Sequence, residues 1–113
     1  MKSRLAFLAL LGHAACAQPE DRSTDFTYLH AAIIEPSCAT SLCHSASMRA
    51  GSLDLSTPED ACDALNMLPP AAIITLLNGE GTGDSPRMPL DVPLPPADIE
   101  LLTRWLNDGA ACE

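Results

Sequence analysis

The stretch Pro36-Ser37-Cys38-Ala39-Thr40-Ser41-Leu42-Cys43-His44 constrains this chain more than any other. Two cysteines followed directly by a histidine is the residue order that attaches a c-type haem. Two thiols add across the vinyl groups of the porphyrin, and the adjacent imidazole is held under the iron as proximal ligand. The usual motif has two residues between the thiols; here four residues separate Cys38 from Cys43. A second reading stays open from these residues alone: a Cys38–Cys43 disulfide closing a small loop beside a bystander histidine.

The N-terminus predicts export. Lys2 and Arg4 precede an apolar run over residues 5–11, and small residues follow. This is the pattern of a cleavable secretory signal. The run is far shorter than the roughly 20 apolar residues a membrane-spanning helix needs, and no later run is long enough. Two cleavage sites are present. Ala15-Cys16-Ala17 predicts cutting before Gln18, giving a signal peptide over residues 1–17. His13-Ala14-Ala15-Cys16 is similar to a bacterial lipobox, which gives a signal over residues 1–15 and makes Cys16 a lipidation candidate. Either route removes Cys16 from the pairing thiols. Cys38, Cys43, Cys62 and Cys112 remain, an even number that suits an oxidising compartment.

Loss of residues 1–17 takes Lys2 and Arg4 away, so 4 basic residues face 15 acidic ones, a net charge of −11. Such a balance argues against nucleic acid and against anionic membrane surfaces. It fits solubility or a basic partner. The exported chain is one small domain with three aromatic residues, Phe26, Tyr28 and Trp105. A core this modest needs a staple or a cofactor.

Residues 18–24 form a polar tether. Thr24 or Asp25 caps a helix predicted to run to about Glu35, where Pro36 stops it. Phe26, Leu29 and Ile33 give that helix an apolar face. His30 is the only histidine of the exported chain besides His44; the reading is a partly exposed helix histidine, with a second axial ligand as the alternative. After His44, residues 45–49 are loop, and residues 51–56 alternate apolar and polar as a short extended run. Thr57-Pro58-Glu59-Asp60 is a strong helix start. That helix ends before Pro69-Pro70. A short helix follows over residues 71–77, then a glycine-containing loop and a proline-rich segment. The last helix runs from Pro96 or Ala97 to Asn107, where Gly109 ends it. The expectation is an all-α domain of three to five short helices. Its connections are too long for an ordinary bundle, which predicts that something else fills the middle.

Met88 is the candidate distal ligand to a haem iron. It stands between Pro86 and Pro89, whose stiffness holds a sulfur without a helix. Met48 is too near His44 to cross the ring, and Met67 lies on a helix. A thioether is a soft neutral donor, and a His/Met pair raises the reduction potential. Cys62 and Cys112 are the remaining pair and read as a structural disulfide, since no further metal ligands stand at sensible spacing. No nucleophile–base pair and no phosphate-binding glycine loop is present, so the chain does not read as an enzyme.

Four patches taken together extend this reading: the helix leading to Cys38 and Cys43-His44, Gly51-Ser52-Leu53-Asp54-Leu55-Ser56, Arg87-Met88-Pro89, and Trp105-Leu106-Asn107-Asp108-Gly109-Ala110. In order and spacing the chain resembles small class I-type cytochrome c domains, such as the exported cytochrome c-like modules of myxobacteria and planctomycetes. Pro69-Pro70 stands where those modules often have a Pro-Gly turn. The resemblance covers residues 25–113 and implies a cytochrome c-like fold around one haem c. It implies thioethers at Cys38 and Cys43, His44 as proximal ligand, Met88 as distal ligand, and Trp105 packed near the haem. It also implies electron transfer with a redox partner in the cell envelope of a Gram-negative bacterium. The protein would be periplasmic or anchored to the outer membrane by a lipid. The alternative of another class is a haem-free, disulfide-stapled exported module that binds a partner or acts structurally.

Overall fold

The computed structural model describes residues 21–113. The signal segment, both cleavage sites, Cys16 and the start of the tether lie outside the described residues. All regular structure among those residues is helical. The chain begins with α1 (Phe26–Leu29), a π-helical turn (His30–Ile34) and α2 (Glu35–Cys38), which follow one another without a break. A 3-10 turn (Ala50–Ser52) precedes α3 (Pro58–Asn66), α4 (Pro70–Leu77) and α5 (Pro96–Asn107).

The caps act where the sequence places them. The Asp25 side chain accepts from the Tyr28 N–H at 3.2 Å, and Thr57 Oγ1 accepts from the Asp60 N–H at 3.1 Å. Pro58, Pro70 and Pro96 each occupy a first helical position, where a missing N–H costs nothing.

Two boundaries differ from expectation. Pro36 does not end the first helical segment. A proline breaks a helix by lacking its N–H and crowding the carbonyl four residues back. Here the ladder is wider around it. The Glu35 N–H reaches the His30 carbonyl, five residues back, and the Ala39 N–H reaches the Ile34 carbonyl at 3.1 Å. The wider turn accommodates the ring, and the helix runs on to deliver Cys38 as its last residue. The run over residues 51–56 also begins differently. Ala50–Ser52 is a 3-10 turn with Gly51 at φ 62°, and the backbone is extended only from Leu53.

The core joins the first segment to the last. Phe26, Leu29 and Ile33 are fully buried with Leu101 of α5, each contributing about 1.5–3 kcal/mol of burial. Phe26 meets Trp105 with ring centroids 4.9 Å apart, and Trp105 Nε1–H donates to the Ala111 carbonyl at 2.8 Å. Arg22 pairs with Asp98 of α5 and lies over the Tyr28 ring, which ties the segment before α1 to the last helix. The Cys62–Cys112 disulfide closes the chain terminus onto α3 across 50 residues. The Asn66 amide donates to the carbonyls of Cys62 and Ala110 beside that bridge. No helix of the described residues is long and apolar enough to cross a membrane.

Candidate functional site

The long connections surround a cavity of about 370 Å³, within the usual range of cofactor pockets. Leu65 of α3, Ile73 and Leu76 of α4, and Leu102, Trp105 and Leu106 of α5 form much of its wall. Among the described residues that line it there is no aspartate, glutamate, lysine or arginine. Cys38, Cys43, His44 and Met88 all line this one cavity.

The thiol segment is a closed turn. Cys38 ends α2, the Cys43 N–H donates to the Thr40 carbonyl at 2.9 Å, and the His44 N–H returns to the Cys38 carbonyl at 3.0 Å. The four residues between the cysteines are taken up inside this turn, so both thiols and the histidine still reach one space. The thiols are not bonded to each other. Burial, with a smaller contribution from neighbouring Cys43, pushes the Cys38 thiol up to about 11, so it is protonated at neutral pH.

His44 is held from three directions. Besides its N–H bond to Cys38, its carbonyl accepts from the Leu55 N–H at 2.8 Å, and ring Nδ1 lies 2.7 Å from the Ala50 carbonyl. A carbonyl only accepts, so Nδ1 carries a proton, and in the neutral ring the lone pair is on Nε2. Metal-ligating histidines are oriented by this kind of bond. The Ala50 N–H in turn donates to the Cys43 carbonyl at 3.0 Å. Asp54, held below the usual carboxylate range by the Ser56 hydroxyl and N–H, closes the turn on the far side of Leu55.

Met88 sits in the connection between α4 and α5. Its N–H donates to the Leu76 carbonyl at 3.0 Å, and the Met88–Pro89 bond is cis. The Arg87 guanidinium donates to the carbonyls of Pro89, Leu90 and Asp91, gathering the backbone just after the methionine. Gly81 closes the loop through its N–H to the Pro86 carbonyl at 3.0 Å. A Cβ there would stand 2.1 Å from the Ser85 carbonyl oxygen, so only glycine fits.

The other candidates fall elsewhere. Met48 and Met67 are 51% and 84% exposed, and neither lines the cavity. His30 corrects the expectation of a partly exposed histidine. It is 3% exposed, does not line the cavity, and places Nε2 at 2.9 Å from the Leu55 carbonyl. The reason is its position at the start of the π turn, on the same buried face as Phe26, Leu29 and Ile33. Cys62 and Cys112 form their disulfide away from the cavity. Sequence reasoning missed the carbonyls of Ala50 and Leu76 and the Arg87 clamp; backbone acceptors carry no residue signature, and Arg87 announced itself only by standing beside Met88. Among the described residues, no three of His, Cys, Asp and Glu cluster as a metal site.

Compared with known proteins, the chain matches no family model, no curated protein and no solved structure.

Proposed function

We propose that this chain is an exported electron-transfer protein with a cytochrome c-like fold, carrying one covalently attached c-type haem. The observation that carries the proposal is the convergence of Cys38, Cys43, His44 and Met88 on a single apolar cavity, with the His44 ring oriented by the Ala50 carbonyl. The donor set fits the group. Cys38 and Cys43 offer two unbridged thiols for thioether bonds, His44 offers Nε2, and Met88 offers a thioether sulfur. The alternative module requires a Cys38–Cys43 bridge, whereas both cysteines stand here as free thiols.

A haem bound there supplies a one-electron Fe(III)/Fe(II) couple. The chain's own residues tune it. The Nδ1–H bond of His44 to the Ala50 carbonyl would orient the imidazole towards the iron. The Met88 thioether favours the reduced iron and so a higher potential. The apolar walls exclude water and lower the local dielectric. With a net charge of −11 after export, the molecule suits a basic redox partner in the cell envelope, and Cys16 offers a route to a lipid anchor.

The test is a visible spectrum, oxidised and dithionite-reduced, of protein matured in a host with haem-attachment machinery, with a pyridine haemochrome after acid–acetone extraction. Sharp reduced bands and haem retained by the polypeptide are expected. A colourless folded protein without free thiols would overturn the proposal.

A further inference from the structure

His30 is the one buried polar side chain among the described residues. An imidazole in a core is costly unless its nitrogens are bonded, and leucine would fill comparable space without that cost. The bond His30 does make is specific. Nε2 lies 2.9 Å from the Leu55 carbonyl, which fixes the proton on Nε2 because the carbonyl only accepts. Leu55 is tied on its other side as well: its N–H donates to the His44 carbonyl at 2.8 Å. Its side chain is buried and lines the cavity. Leu55 is therefore a single residue clamped between the two histidines.

The rest of the chain of bonds runs to the cavity. The His44 ring is fixed by the Ala50 carbonyl, and the Ala50 N–H is fixed by the Cys43 carbonyl. His30 itself opens the π turn, a distortion that recurs at functional sites. Ile34, at the other end of that turn, lines the cavity and accepts the Ala39 N–H. The turn thus reaches the cavity wall through its last residue and the His44 backbone through its first.

We propose that His30 is a positioning residue that holds His44 through Leu55. It does not itself line the cavity and reaches it only through Leu55. Its effect is to keep the Leu55 segment, and with it the His44 backbone, in one place, so that Nε2 of His44 is presented in a single orientation. The consequence at an iron rests on the haem reading; the positioning of His44 does not.

The test compares the full exported chain with His30→Leu, His30→Gln and Ile33→Ala. Ile33 is fully buried, outside the cavity lining and outside this chain of bonds, so Ile33→Ala reports a purely structural loss in the same segment. Two readouts apply with or without haem: hydrogen exchange at the Leu55 amide and the ring nitrogen shifts of His44 in the diamagnetic protein. His30→Leu is expected to speed Leu55 exchange about tenfold, the equivalent of one lost hydrogen bond, and to move the His44 ring signals. Glutamine, which keeps an N–H donor, is expected to restore both in large part, and Ile33→Ala to change neither selectively. In haem-loaded protein, His30→Leu shifts the reduction potential and Ile33→Ala does not. Equal responses from His30→Leu and Ile33→Ala, or no response from either, would overturn the proposal. Should His30→Leu fail to fold, the wild-type His30 ring decides: a proton on Nε2 supports the bond to Leu55, and a proton on Nδ1 contradicts it. Selective His44 and Leu55 responses in a protein that takes no haem would remove the haem assignment and leave the positioning role standing.

Discussion

Cys38 is the residue at which the chemistry of the site and the stability of the fold meet. Its thiol is raised from the ordinary 9.0 to about 11, chiefly by burial. The folded chain therefore holds this proton more tightly than the unfolded one. The associated stability is complete below pH 9 and is lost as the pH rises towards 11. Haem-free protein is expected to lose on the order of 2 kcal/mol over this window, and Cys38→Ser to remove that slope; urea unfolding against pH measures both. Protein with a thioether at Cys38 has no thiol to titrate, and the same slope should be absent. Met88 offers a different reading of the site. Met88→Ala removes the one thioether that lines the cavity while leaving the thiols and His44 in place. In haem-loaded protein it is expected to lower the reduction potential by on the order of 0.1–0.3 V, a fraction of the roughly 0.8 V over which axial ligands set potentials. Redox titration of the variant against wild type checks this.

At the scale of elements, the connection between α4 and α5 is shaped by backbone bonds. Gly81→Ala forces a Cβ onto the Ser85 and Pro86 carbonyls, which cannot give way as a flexible side chain can. The expected cost is about 1–3 kcal/mol in unfolding measurements, together with weaker presentation of Met88. Much of the helical framework was legible in the sequence because its signals are local. Asp25, Thr57, Pro58 and Pro96 mark starts by chemistry that acts within one turn, and α3 and α5 begin where they predict. Cys38, Cys43, His44 and Met88 stood out in the sequence as a candidate set because few other residue types offer thiol, imidazole and thioether groups, and the structure places all four on one cavity. Pro36 misled because its usual effect assumes bonds four residues apart, and the π turn shifts them to five. His30 misled because a helix histidine carries no mark of which face the wider turn will bury. The Ala50 and Leu76 carbonyls were illegible, since any residue supplies one.

The described residues form a helical domain built around an apolar cavity and stapled near the chain terminus. Phe26, Trp105 and Leu101 join the first and last helical segments, while the Cys62–Cys112 disulfide holds the terminus to α3. Replacing both cysteines by serine is expected to cost about 4 kcal/mol, from the 50-residue span that the bridge closes. Chemical denaturation of oxidised wild type and the double variant measures it. The same space also sets the central question. If the cavity is built to hold a haem on two thioethers, that link survives digestion. The most direct measurement is mass spectrometry of the tryptic peptide spanning residues 23–49, which contains Cys38, Cys43 and His44, from protein matured with haem-attachment machinery. The expected result is one haem on that peptide and no alkylatable thiol. A peptide carrying two free thiols, or lighter by two hydrogens through a Cys38–Cys43 bridge, would contradict it.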